Sequence, residues 1–159
     1  MNIDSRAVTL LRLFLLGLFG ILLVFQFLSF PGGIAYDAQQ HPDQAYLRWP
    51  LTFLAGFCIF CAEVVVVSTW QLLSLVQADR IFSNAAFKWV NAIIWAIAGG
   101  WVVLVGFTIW VLSQADDPGM PMVLILFVLA VTVVGLLMVV MRALLRQATA
   151  LRTDMDGVI

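Results

Sequence analysis

Three groups of side chains in this 159-residue chain have types and spacings that could do chemistry. The first is Glu63, a lone acid in the apolar run LTFLAGFCIFCAEVVVVSTWQLLSLVQ. A charge at the bilayer centre costs about 2.5–3.5 kcal/mol on insertion scales, so such a residue usually faces a protein interior and serves as a proton or cation acceptor. The competing reading is a neutral acid held by a hydrogen bond to Thr132 or to a backbone carbonyl. The second group is Cys58 and Cys61, a CxxC spacing that suits thiol–disulfide exchange. A membrane thiol oxidoreductase would need a second pair as relay, and the chain has 2 cysteines. A four-ligand metal site is also short of ligands here, so the pair reads as small buried hydrophobes. The third is His41 with Asp37 and Asp43, a set that could meet a metal but is ordinary for a solvated loop.

No nucleophile–base pair, phosphate-cradling glycine loop or basic–aromatic nucleic-acid surface is present in the sequence. The chain is therefore expected to be non-enzymatic, to carry no cofactor or metal, and to make no direct contact with nucleic acid. A net charge of −1 gives no strong steering toward nucleic acid or acidic substrates.

What must position these residues is a membrane domain. Hydrophobic residues make up 64% of the chain and charged ones 11%, where a soluble domain of this size carries about a quarter charged. The stretches 13–30, 51–78, 89–115 and 118–141 contain one charged residue, Glu63. Each is long enough to cross a hydrocarbon core of roughly 30 Å, which takes about 20 helical residues. Runs such as MVLILFVLAVTVVGLLMVVM do not alternate as barrel strands do, so the spans are helices. The expected fold is an all-α integral membrane four-helix bundle with spans at about 9–30, 51–75, 89–112 and 122–141. Pro31-Gly32-Gly33 is expected to stop the first span, Pro50 to open the second, and Pro118-Gly119 with Pro121 to part the third from the fourth.

Lys and Arg counts orient the bundle. Arg6, Arg12, Arg80, Lys88, Arg142, Arg146 and Arg152 fall on one side, and Arg48 alone on the other. Both termini are thus expected in the cytoplasm of a bacterial inner membrane protein. Outer loops then lie at 31–50 and 113–121, an inner loop at 76–88 and a tail at 142–159. A cleaved signal peptide ending near Gly33-Ile34-Ala35 is the weaker reading, because the apolar run from Leu13 to Phe30 exceeds the usual 7–15 residues of a signal core. The segments outside the spans are too short to form a domain with its own core.

Glu63 lies 12 residues past Leu51, roughly 18 Å deep at 1.5 Å per residue. The same depth on the other spans falls near Gly17 and Gly20, near Gly99 and Gly100, and near Thr132 and Gly135. A mid-membrane polar pocket built from these residues is one expectation, and tight helix packing on small residues is the other. Ala92, Ala96 and Gly100 make a small-xxx-small ridge that suits packing within the bundle or between copies in a homo-oligomer. On the basic side, Arg142 and Arg146 share a helix face by their i, i+4 spacing. With Arg80, Lys88 and Arg152 they form a candidate surface for cytoplasmic docking or for anionic lipid.

The segment QADRIFSNAAFKWVNAI, with Asp79-Arg80-Ile81-Phe82-Ser83, and the closing ALLRQATALRTDMDGVI resemble a bacterial membrane family known as domain of unknown function 2975. The resemblance implies a four-span protein of about this length. It also implies a cytoplasmic helix-turn-helix regulator of the repressor type as partner, since the genes commonly adjoin. It implies no enzymatic activity and supplies no catalytic residues. The expected role is the membrane arm of a regulatory pair that responds to a lipid, a lipophilic compound or membrane state. A small transporter or channel subunit working through Glu63 is the alternative.

Overall fold

Backbone amides in hydrocarbon have no water to bond, so runs this apolar must close their own hydrogen bonds along a helix. The computed structural model describes residues 5–40, 48–78, 83–114 and 117–156. Those residues are built from α1 (Ser5–Val24), a π-helical segment (Phe25–Ser29), α2 (Phe30–Gln40), α3 (Arg48–Gln77), α4 (Asn84–Gln114) and α5 (Gly119–Asp156). Four stretches are long and apolar enough to cross a membrane: Ala7–Asp37, Arg48–Gln77, Asn84–Gln114 and Gly119–Leu151. The result is an all-α four-helix bundle.

The first span does not stop at Pro31. It runs on to Gln40, so most of the expected outer loop 31–50 is helix or lies outside the described residues. The reason is the π segment directly before the proline. Proline has no N–H, and its ring presses on the carbonyl four residues back in an α-helix. The Phe30 amide bonds to the Phe25 carbonyl, an i to i−5 step that widens the turn and shifts the register by one residue. The chain then absorbs Pro31 without breaking. The other punctuation falls where expected: Pro50 lies in the first turn of α3, where its missing N–H has no helical acceptor. Pro118 and Gly119 stand at the start of α5, the Met122 amide bonding to the Pro118 carbonyl at 3.1 Å.

Helices pack in chain order. The first span lies against α3, α3 against α4 and α4 against α5. Among the described residues the first span makes no close backbone approach to α4 or α5, and α3 makes none to α5. The core is correspondingly small, with Leu15 on α1, Ile59, Cys61 and Val66 on α3, and Ala86, Val90 and Ile93 on α4. Small residues bring the middle pair together: a Cβ at Gly100 would sit 3.6 Å from Cys61 Cβ, and one at Gly99 would sit 3.6 Å from the Phe57 ring. Such close approach is how helices associate where lipid tails remove any hydrophobic drive. Thus Gly100, at one end of the Ala92–Ala96–Gly100 ridge, packs inside the bundle. The remaining faces, α5's above all, turn large apolar side chains such as Met122, Leu126 and Val133 outward. A surface of that kind is stable in lipid and not in water.

Several hydroxyls within the spans bond locally, although Ser68 Oγ, on a residue 1% exposed, has no partner among the described residues. Thr69, Ser74, Thr108 and Thr132 each donate to the carbonyl four residues back, at 2.7–3.2 Å.

Candidate functional site

Glu63 is 8% exposed, and its Oε1 has no hydrogen-bond partner among the described residues. It shares a stripe of α3 with Val66, Val67 and Trp70, by i+3, i+4 and i+7 spacing. Those three meet Leu15, Leu16 and Phe19 of α1 across one apolar seam, so Glu63 continues the α3 face turned toward the first span. The π segment also packs on α3, and it carries Gln26, whose Oε1 is buried with no partner among the described residues. Sequence reading passed over Gln26. The available signal was a lone amide in an apolar span at the same i, i+3, i+4 spacing as Arg12, Leu15, Phe19 and Leu23.

The residues counted to the depth of Glu63 are not gathered around it. Gly17 and Gly20 have nothing within 4 Å of a built Cβ, so they form no wall against another helix. Gly99 and Gly100 meet Phe57 and Cys61 on a different side of α3. Gly135 faces α4, where a Cβ would meet Ile97 Cγ2 at 3.2 Å. Thr132 is on α5, which α3 does not approach. Its Oγ1 accepts from Trp101 Nε1 at 2.8 Å and donates to the Val128 carbonyl at 2.7 Å, so it is not the partner of Glu63. Both cysteines are free, with Cys61 buried against Gly99 and Gly100 and Cys58 half-buried. His41 and Asp43 lie outside the described residues.

Arg12 has a structural partner set. Its guanidinium lies 5.5 Å from the Trp70 ring centroid and donates to Ser74 Oγ at 3.1 Å, clamping α1 to α3 at the basic end of the bundle.

That end also holds a polar cleft. Arg142, Arg146, Thr149 and Ala150 of α5 face Asn84 and Phe87 in the first turn of α4 across a cleft of about 440 Å³. The i, i+4 arginines do share a face. Neither has an ion-pair partner among the described residues. Lys88 is exposed and does not line the cleft, while Arg80 and the Arg152 side chain lie outside the described residues.

Four membrane-length helices with outward apolar faces define a multi-pass helical membrane protein. Residues 32–159 match the model of one family, and the chain belongs to it: Protein of unknown function (DUF2975). The match begins one residue past Pro31 and takes in both the 79–83 motif and the closing segment. No curated protein and no solved structure matches the chain.

Proposed function

We propose that the protein acts by binding, as the membrane arm of a regulatory pair. Both termini are cytoplasmic in this reading, and the partner is a small helix-turn-helix regulator held at the basic end. The observation that carries it is the unbroken helix Gly119–Asp156. At 1.5 Å per residue its 38 residues span about 57 Å, against a hydrocarbon core of roughly 30 Å. One rigid element thus starts at the far end of the bundle and extends well past the basic end. A tilt or rotation of α5 within the bilayer would be delivered directly to the tail. The gene arrangement implied by the family resemblance supports a DNA-binding partner, and the chain's own net charge of −1 fits an indirect role at DNA. The test is affinity capture of the full chain co-expressed with the helix-turn-helix regulator that the family resemblance implies beside its gene. Capture should succeed with the whole chain and fail after truncation at Gln147. Absence of the regulator from the whole-chain sample would overturn the reading.

A second reading has its own observation. Glu63, buried with an unpartnered carboxyl oxygen, is what a proton- or cation-coupled carrier would use.

A further inference from the structure

Beside the basic cleft, a depression along α5 shares Arg142 and Arg146 with it and shares Val139 with an apolar trough between α4 and α5. Val139 lines a depression with Arg142 and Arg146 on one side. It also closes a trough of about 200 Å³ that runs between α4 and α5 past Ile94, Ile97, Ala98, Trp101 and Gly135. The trough exists because Gly135 has no side chain there: a Cβ would stand 3.2 Å from Ile97 Cγ2. Its far end is closed by Trp101, whose indole N–H is already engaged by Thr132. From Thr132 to Arg142 is ten residues of α5, about 15 Å.

We propose that cleft and trough are one binding site for an anionic glycerophospholipid. Its phosphate lies on the Arg142 and Arg146 guanidiniums, and one acyl chain lies along the trough toward Trp101. The chemistry fits at both ends. Guanidinium forks match phosphate oxygens. A trough whose one donor is spent offers only dispersion contacts to what fills it. Asn84 adds an amide, and the first turn of the 31-residue α4 brings the positive end of its dipole to the same cleft. A zwitterionic headgroup would set an ammonium against two guanidiniums that have no ion-pair partner among the described residues. A soluble acidic peptide could meet the arginines but would leave the trough unfilled. The inference names the ligand for the sensing role proposed above and rests on that reading for its consequence. Lipid binding is read on the purified protein and regulator capture in cells, so either can fail while the other stands.

The experiment is native mass spectrometry of the delipidated full chain in mild detergent. Phosphatidylglycerol and phosphatidylcholine with identical acyl chains are offered in equal amounts. Wild type should retain phosphatidylglycerol at about tenfold higher occupancy, the size of one charge-assisted hydrogen bond or more. Arg142→Gln with Arg146→Gln should abolish the preference, and Arg48→Gln, at the opposite end of the bundle, should not. Ala98→Phe, which fills the trough and leaves both arginines, should lower retention of the lipid several-fold. A phosphatidylglycerol carrying a photoactivatable acyl chain tests the wild-type protein without any variant, and should label residues 94–101 and 131–139. Equal retention of the two lipids, labelling confined to other helices, or an unaltered preference in the double arginine variant would overturn the proposal. So would displacement of the lipid by glycerol 3-phosphate or by an acidic peptide at matched concentration, because the site would then be one for a soluble anion.

Discussion

Trp101 on α4 donates its indole N–H to Thr132 Oγ1 on α5 at 2.8 Å, and the Thr132 hydroxyl donates to the Val128 carbonyl at 2.7 Å. This side-chain hydrogen bond joins α4 to α5, and α4 is the only helix that α5 packs against among the described residues. Thr132→Val keeps the shape and removes the acceptor. It should destabilise the α4–α5 contact by about 0.6–1.7 kcal/mol, as interhelical hydrogen bonds in lipid do. Thr132→Ser should restore it. Unfolding in mixed micelles, followed by tryptophan fluorescence, measures both. Equal stability of the valine and serine variants would show that the bond does nothing for the pair.

The clamp of Arg12 on Trp70 and Ser74 makes a second prediction. Arg12→Met keeps the aliphatic stem and removes the cation, and should cost about 1 kcal/mol. Trp70→Leu should cost a similar amount or more, and the double variant less than the sum, because both remove the same contact. Full additivity in the same unfolding assay would mean the two residues act separately.

Cys58 and Cys61 are free, with Cys61 seated against two glycines in the α3–α4 contact. Replacing both with Ala should leave expression and signalling intact, with a small loss of stability from the cavity at 61. Loss of function in that variant, together with a trapped mixed disulfide between the wild-type chain and a partner, would restore the thiol chemistry.

Orientation gives a fourth prediction. In the background without Cys58 and Cys61, a cysteine at Gln40 should react with an impermeant thiol reagent on whole cells, and one at Thr153 should not. The reverse pattern would place the basic end outside and remove any cytoplasmic partner from it.

Lipid makes the spans easy to read, because a helix there must be about 20 residues long and nearly free of charge. The same reading misjudged Pro31-Gly32-Gly33, since a proline normally ends a helix and nothing in composition announces the π turn that accommodates it. Counting residues gives depth, and the depth of Gly17, Gly20, Thr132 and Gly135 relative to Glu63 is a matter of rise per residue. Azimuth and neighbour are not. Gly17 and Gly20 face open space, and Thr132 lies on a helix that α3 does not approach among the described residues, because the helices pack in chain order. The shared face of Arg142 and Arg146 was legible from their spacing. That it meets Asn84 and Phe87 depends on how α5 sits on α4, which no local pattern encodes.

In the regulatory reading, function resides in binding at the basic end and not in the buried acid. One reporter measurement compares them: expression of the regulator's target gene in cells carrying Glu63→Gln, or Arg142→Glu with Arg146→Glu, each checked for membrane insertion. Gln keeps the shape and neutral hydrogen bonding of the acid while removing titration, so the first variant should signal within about twofold of wild type. Charge reversal removes the cationic face and should abolish regulation. If Glu63→Gln abolishes function while the reversed arginines still signal, the regulatory account is wrong and a transport site at Glu63 takes its place.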